Sequence, residues 1–220
     1  YPDIPGLASF EGACFHTARW DHGVPLDGRR IGVIGNGSTG VQIISALATR
    51  AGRLHHFQRT AQWIMPVENP EFTEEQRAAF RADPALLHYM QNQPDYLANV
   101  ERFNNSLVNA DSQGIAEIEA TCLANLENSV RDPVLRERLR PHYRAACKRL
   151  IYSPDYYEAI QHPNAELVSD GIECLEPRGV RLKNGRLVEL DVLALATGFN
   201  AGMFMRPMNV VGRNGVQLND

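Results

Sequence analysis

The segment Gly35-Asn36-Gly37-Ser38-Thr39-Gly40 has the residue types and spacing to hold a phosphate. In a GxGxxG turn between a strand and a helix, the first glycine permits the tight turn. The second lets the backbone approach a pyrophosphate, and the third lets the helix pack closely on the strand. The helix that follows begins with unpaired N–H groups and a partial positive charge, both suited to an anion. Gly35, Asn36, Gly37, Ser38, Thr39 and Gly40 are therefore candidate cofactor-binding residues, with a dinucleotide as the predicted ligand. The same letters also describe an ordinary glycine-rich turn, and the flanking elements favour the dinucleotide.

The end of the next strand selects between the two nicotinamide nucleotides. An NAD site usually places a carboxylate about 20 residues past the glycines, where it accepts from the ribose 2′-hydroxyl. Here the chain reads His56-Phe57-Gln58-Arg59-Thr60, with no acid. Arg59 can instead make a charge-assisted contact to a 2′-phosphate. Such a contact is worth roughly 1.5–3 kcal/mol, which predicts NADPH as the cofactor. The plainer alternative for Arg59 is a solvated surface arginine.

The elements that must position these residues read as an α/β unit. Arg30–Ile34 is a short apolar run suited to a buried parallel strand. Val41 to Arg50 carries helical spacing, Gly52 is a helix stop, and Arg53–Gln58 can form a second strand. Residues 66–146 differ in character. Thr73 with Gln76 predicts a capping box for a helix through Ala82, and Pro84 and Pro94 punctuate the next pieces. Asp111 is a candidate cap for a helix with Ile115, Ile118, Cys122 and Leu126 on one stripe. Asp132-Pro133 begins another. The block reads as an all-helical insertion of three to five helices.

A β pattern returns afterwards. Glu166–Ser169 and Ile172–Leu175 are short strands, and Asn184-Gly185 between alternating runs predicts a hairpin. Val192–Ala196 is a second buried strand, ending at Thr197-Gly198-Phe199. The predicted fold is α/β: a Rossmann-like doubly wound parallel sheet with a small β-meander and an all-helical insertion. Residues 1–28 read as an irregular opening segment. Residues 29–65 with 147–200 read as the nucleotide-binding domain, 66–146 as the insertion, and 201–220 as a return segment.

The stretch Phe10-x-Gly12-xxx-His16-xxx-Trp20-Asp21 lies just before the glycine turn. It resembles, at every defined position, the FxGxxxHxxxW(P/D) fingerprint of the type I Baeyer–Villiger monooxygenases. Phe57-Gln-Arg-Thr60 is similar to the FQRT turn of that family, where arginine and threonine meet the NADPH ribose phosphate. Lys148-Arg149 followed by Asp155-Tyr-Tyr157 resembles its KR…DYY segment, and Asp191 to Phe199 resembles the ATG motif of flavoprotein monooxygenases. Leu150 stands where many relatives have proline, and Asn200 where many have aspartate.

The resemblance implies an enzyme that uses NADPH, FAD and O2 to insert one oxygen into a ketone, giving an ester or lactone. It implies that Thr60 and Lys148 join Arg59 at the 2′-phosphate, and that Thr197 and Gly198 lie at the cofactor. It makes Arg149 the active-site arginine beside the flavin, and makes His16 a catalytic residue through the fingerprint's coupling of domain motion to catalysis. Phe204-Met-Arg-Pro-Met208 resembles the branch that acts on aryl ketones or steroids. A flavin enzyme oxidising nitrogen or sulfur shares the glycine turn and the ATG motif, and a non-enzymatic NADP-binding module shares the turn alone. One GxGxxG is present, so the FAD fingerprint is expected upstream of Tyr1, in a longer parent protein. FAD and independent activity are not expected of this chain by itself.

Composition narrows the remaining classes. With 44% hydrophobic and 22% charged residues, the chain of 220 residues is an ordinary globular one. The net charge of −4 argues against a general nucleic-acid binder. No apolar run approaches the roughly 20 residues of a membrane helix. The four cysteines are scattered without a CxxC pair, which disfavours a zinc ribbon or a disulfide reductase and predicts reduced thiols in a cytoplasmic protein.

Overall fold

The computed structural model describes residues 1–109, 111–200, 202 and 208–217. The chain runs through β1 (Ala13–His16), β2 (Arg30–Ile34), α1 (Ser38–Leu47), β3 (Arg53–Phe57) and β4 (Ile64–Met65). Five helices follow: α2 (Glu74–Ala82), α3 (Ala85–Gln91), α4 (Pro94–Leu107), α5 (Gln113–Ser129) and α6 (Pro133–Arg138). After them come β5 (Ile151–Tyr152), α7 (Tyr156–Ala159), β6 (Ala165–Val168) and the strands β7 (Ile172–Glu176), β8 (Gly179–Leu182), β9 (Leu187–Glu189) and β10 (Val192–Leu195).

The central sheet has five strands in the order β1-β10-β2-β3-β6, all parallel. Its two faces follow from strand alternation. Along β10, Val192 and Ala194 face a core shared with α1, α5 and α7, while Leu193 and Leu195 face one shared with β8 and β9. The helices thus cover one face, and the antiparallel meander β7-β8-β9 covers the other. Ile31, Val33, Ile44 and Leu54 are fully buried, each contributing roughly 1.5–3 kcal/mol. In α1, Val41, Ile44 and Leu47 recur every third residue and form the buried face.

The expected parallel strands, meander and helices are all present. The capping box holds: Gln76 N donates to Thr73 Oγ1 at 3.2 Å, and Thr73 N donates to Gln76 Oε1 at 2.8 Å. The stripe Ile115, Ile118, Cys122 and Leu126 is the buried face of α5. Asp132 caps α6 through Val134 N at 2.9 Å. Gly185 takes φ +87° in the hairpin turn.

Two expectations change. Ser112, not Asp111, caps α5, because its Oγ accepts from Ile115 N at 3.2 Å while Asp111 lies one residue too early, its N–H donating to Asn109 Oδ1. The opening segment is not wholly irregular: Ala13–His16 pairs with β10 and forms a sheet edge. In the tail, Met203 to Pro207 lie outside the described residues, and with them most of the Phe204–Met208 motif.

Strands β4 and β5 are only two residues each, yet they fix the layout. They pair in parallel, Ile64 with Ile151 and Met65 with Tyr152. The chain therefore leaves the α/β unit at Met65 and returns beside the same point at Ile151. All five helices lie between.

Candidate functional site

The carboxyl ends of four neighbouring strands carry the candidate residues, where open α/β sheets bind ligands. In sheet order these are His16 at the end of β1, Thr197-Gly198 after β10, the glycine turn after β2, and Arg59-Thr60 after β3.

Each glycine of the turn behaves as its position demands. Gly35 has φ +107°, and a side-chain carbon there would lie 2.3 Å from Ala196 O. At Gly40 such a carbon would lie 2.0 Å from Gly35 O, so the helix sits directly against the turn. At Gly37 it would meet nothing within 4 Å. That open space lies at the N-terminus of α1, which no side chain caps. Ser38 and Thr39 form the first turn of this helix, whose free N–H groups can meet an anion.

Beneath the turn lies His56, fully buried. Its Nε2 is 3.1 Å from Gly35 O and its Nδ1 is 3.0 Å from the hydroxyl of Tyr156. A carbonyl can only accept, so Nε2 carries the proton and Nδ1 accepts from Tyr156. Burial pushes the pKa of His56 down to about 4, and burial raises that of the Tyr156 hydroxyl, so both groups are neutral.

Beside the turn, Asn36 Nδ2 donates to Thr60 O at 2.7 Å and to Gln58 Oε1 at 3.3 Å. Gln62 Nε2 donates to Asn36 Oδ1 at 3.4 Å, and the Tyr143 hydroxyl donates to Gln62 Oε1 at 2.8 Å. Lys148 Nζ stands 4.7 Å from the centre of the Tyr143 ring. Asn36 thus holds the Thr60 turn, and a polar path runs from it to Lys148.

The β4–β5 pairing brings the segment that ends at Ile151, with Lys148 and Arg149 some ninety residues after Arg59, back beside the segment that leads to Ile64. Ile151 N donates to Trp63 O at 3.3 Å, just beyond both segments. Ala146, at φ +68°, turns the chain so that Cys147, Lys148 and Arg149 are exposed while Ala145 and Leu150 are buried against Trp63. Arg59 and Thr60 are also exposed. Among the described residues, Arg59, Lys148 and Arg149 make no ion pair.

His16 is buried, with both ring nitrogens committed. Its Nδ1 accepts from Ala18 N at 3.2 Å, so its Nε2 donates to Gly198 O at 3.0 Å. The ring lies edge-on to Tyr1 and Phe199. It ties β1 to the loop after β10, and neither nitrogen is left to move a proton. Gly198 itself has φ +78°.

Sequence reading missed three residues, His56, Gln62 and Tyr143, and gave Tyr156 no task. Strand parity could have found the first, since Leu54 and His56 share a face and Leu54 is core. No local signal marks Gln62 or Tyr143. Among the described residues no cluster of His, Cys, Asp or Glu could hold a metal, and no helix is long and apolar enough to cross a membrane. All four cysteines are free. A groove of about 740 Å³ lies elsewhere, among Met65, Phe103, Ile118 and Tyr152.

Residues 2–73 match the flavin-binding monooxygenase-like family. The whole chain is 46% identical to an uncharacterized monooxygenase of Mycobacterium tuberculosis, of which it spans 43%. Over 99% of its length it is 34% identical to a Baeyer–Villiger monooxygenase of Streptomyces coelicolor, of which it spans 41%. The fold superposes on the NADP+-bound cyclohexanone monooxygenase of a Rhodococcus species with a TM-score of 0.82 at 32% identity. That match takes in all of this chain and 48% of the other. The chain spans less than half the length of these relatives, and over that span it is similar to monooxygenases.

Proposed function

We propose that this chain is the NADPH-binding part of a flavin-dependent Baeyer–Villiger monooxygenase, which uses O2 to convert a ketone into an ester or lactone. The observation that carries this reading is the path that links the uncapped glycine turn, through Asn36 to the carbonyl of Thr60 and through Gln62 and Tyr143, to the ring that Lys148 faces. Residues 29–65 and 147–200 serve as the nucleotide-binding domain, and 66–146 as a helical insertion into it.

The residues fit the cofactor. The space at Gly37 is open, so the N–H groups of the turn and of the first turn of α1 can bind the pyrophosphate there. Arg59, Thr60 and Lys148 surround the place of a 2′-phosphate, and the acid that would select NAD is missing after β3. Bound there, NADPH would supply the hydride that reduces a flavin. Thr197 and Gly198 border the turn from β10 and would help to hold the cofactor there. Arg149 holds a permanent positive charge for the oxygen anion that develops as the ketone carbonyl is attacked. His16 keeps the loop at Gly198 in register with β1, which makes it a positioning residue rather than a proton carrier. The relatives' names, Baeyer–Villiger and cyclohexanone monooxygenase, support a ketone as substrate over an amine or sulfide.

Calorimetric titration of the chain with NADP+ and NAD+ tests the reading. NADP+ is expected to bind about tenfold or more tightly than NAD+, with the preference lost in Arg59→Ala and reduced in Lys148→Ala. Equal affinity for both nucleotides would remove the two cations as selectors, and no binding of either would remove the dinucleotide.

A further inference from the structure

The first glycine of the turn is gripped by β3 through both of the peptide groups that flank its α-carbon. Gly35 N donates to Phe57 O at 3.1 Å, and Gly35 O accepts from His56 Nε2 at 3.1 Å. In a trans peptide the C=O of one residue and the N–H of the next point in opposite directions. The imidazole below therefore draws the Gly35 carbonyl inward and turns the Asn36 N–H outward. Were that peptide to flip, it would present a carbonyl oxygen to an approaching phosphate. The side chain that prevents this is itself set by another. Imidazole has two neutral tautomers, and only one puts a proton on Nε2. The Tyr156 hydroxyl donates to Nδ1 and selects that one. Tyr156 is fixed in turn, with its backbone N–H donating to Ser153 Oγ at 3.1 Å.

We propose that His56, with its tautomer set by Tyr156, is a positioning residue that aims the Asn36 N–H at the pyrophosphate of the dinucleotide. The proposal rests on the reading of the glycine turn given above and assigns a task to two buried groups that touch no ligand. It also joins the Asp155–Tyr157 segment to the turn, though the two lie more than a hundred residues apart in sequence.

Two probes separate aim from mere support. NADP+ carries a pyrophosphate, whereas adenosine 2′-phosphate presents only the 2′-phosphate to Arg59 and Lys148. In His56→Leu the NADP+ dissociation constant is expected to rise about five- to tenfold while that of adenosine 2′-phosphate stays within about twofold. His56→Gln, which keeps an N–H donor, is expected to recover most of the loss. Tyr156→Phe removes a single hydroxyl and is expected to give a smaller loss of about two- to fivefold for NADP+ alone. In that variant the ¹⁵N resonances of the His56 ring should shift from a single Nε2–H tautomer toward a mixture. Should His56→Leu prove unstable, the Tyr156→Phe comparison carries the test. Equal weakening of both ligands, or none of either, would overturn the assignment while leaving the dinucleotide reading in place. If the unsubstituted chain binds neither NADP+ nor adenosine 2′-phosphate, the dinucleotide reading falls, and the task of the pair falls with it.

Discussion

The glycine turn is clamped from below by buried groups, whereas the Lys148-Arg149 turn stands on the surface with one aromatic ring behind it. His56, Gly35 and Gly40 fit so closely that neither glycine has room for a side-chain carbon. Lys148 has a cation–π contact to Tyr143, and Arg149 projects freely. The difference matches the work proposed for each. Backbone N–H groups act over one hydrogen-bond length and must be aimed before the ligand arrives. A cation acts as a charge over a longer range and tolerates movement. Rigid support is found where direction matters, and freedom where only sign matters.

The contrast can be broken most forcefully at Gly35. Gly35→Ala places a methyl group against Ala196 O at a positive φ. It is expected to destabilise the chain by about 3 kcal/mol or more and to abolish NADP+ binding. A denaturation midpoint like that of the parent would show that the turn is softer than its packing indicates.

The next effect is one of pH. His56 has its pKa held at about 4 against an ordinary 6.5, so the unfolded chain takes up the proton first as the pH falls. The stabilisation is full above pH 6.5 and is lost as the pH drops toward 4, amounting to roughly 3 kcal/mol. Urea unfolding across that window should show the loss in the parent and not in His56→Leu. Parallel curves for the two would mean that His56 titrates normally in the fold.

The smallest effect on stability is the most telling for function. Gly37 has ordinary extended backbone at φ −69° and open space around it. Gly37→Ala should leave stability within about 0.5 kcal/mol. The added methyl group enters the space proposed for the pyrophosphate, so NADP+ affinity should fall about tenfold. Unchanged affinity would move the phosphate away from α1.

Much of this was legible in the sequence because it is local. The strand Arg30–Ile34, the glycine turn and the capping signals each declare themselves within a few residues. The stripe on α5 was legible for the same reason, since helical period sorts its buried residues. The links between segments were not legible. β4 and β5 are too short to carry a pattern, and β1 has a single large apolar side chain, Phe15, among small and polar neighbours. The path Asn36–Gln62–Tyr143 exists only after the chain has doubled back at Ile151. His56 reads as one more strand residue until Tyr156 arrives from a hundred positions away.

The strand order has a consequence for synthesis. β10 lies between β1 and β2, with Ala13 opposite Val192 and Ile31 opposite the same residue on the other side. As the chain leaves the ribosome, β2, α1 and β3 can dock early, but β1 has no partner until residues 192–195 emerge. Such long-range pairing is slow, because a large loop must close before any contact rewards it. Between the emergence of β2 and that of residues 192–195 the growing chain therefore exposes one open edge of β2. That interval is when a chaperone would have most to protect.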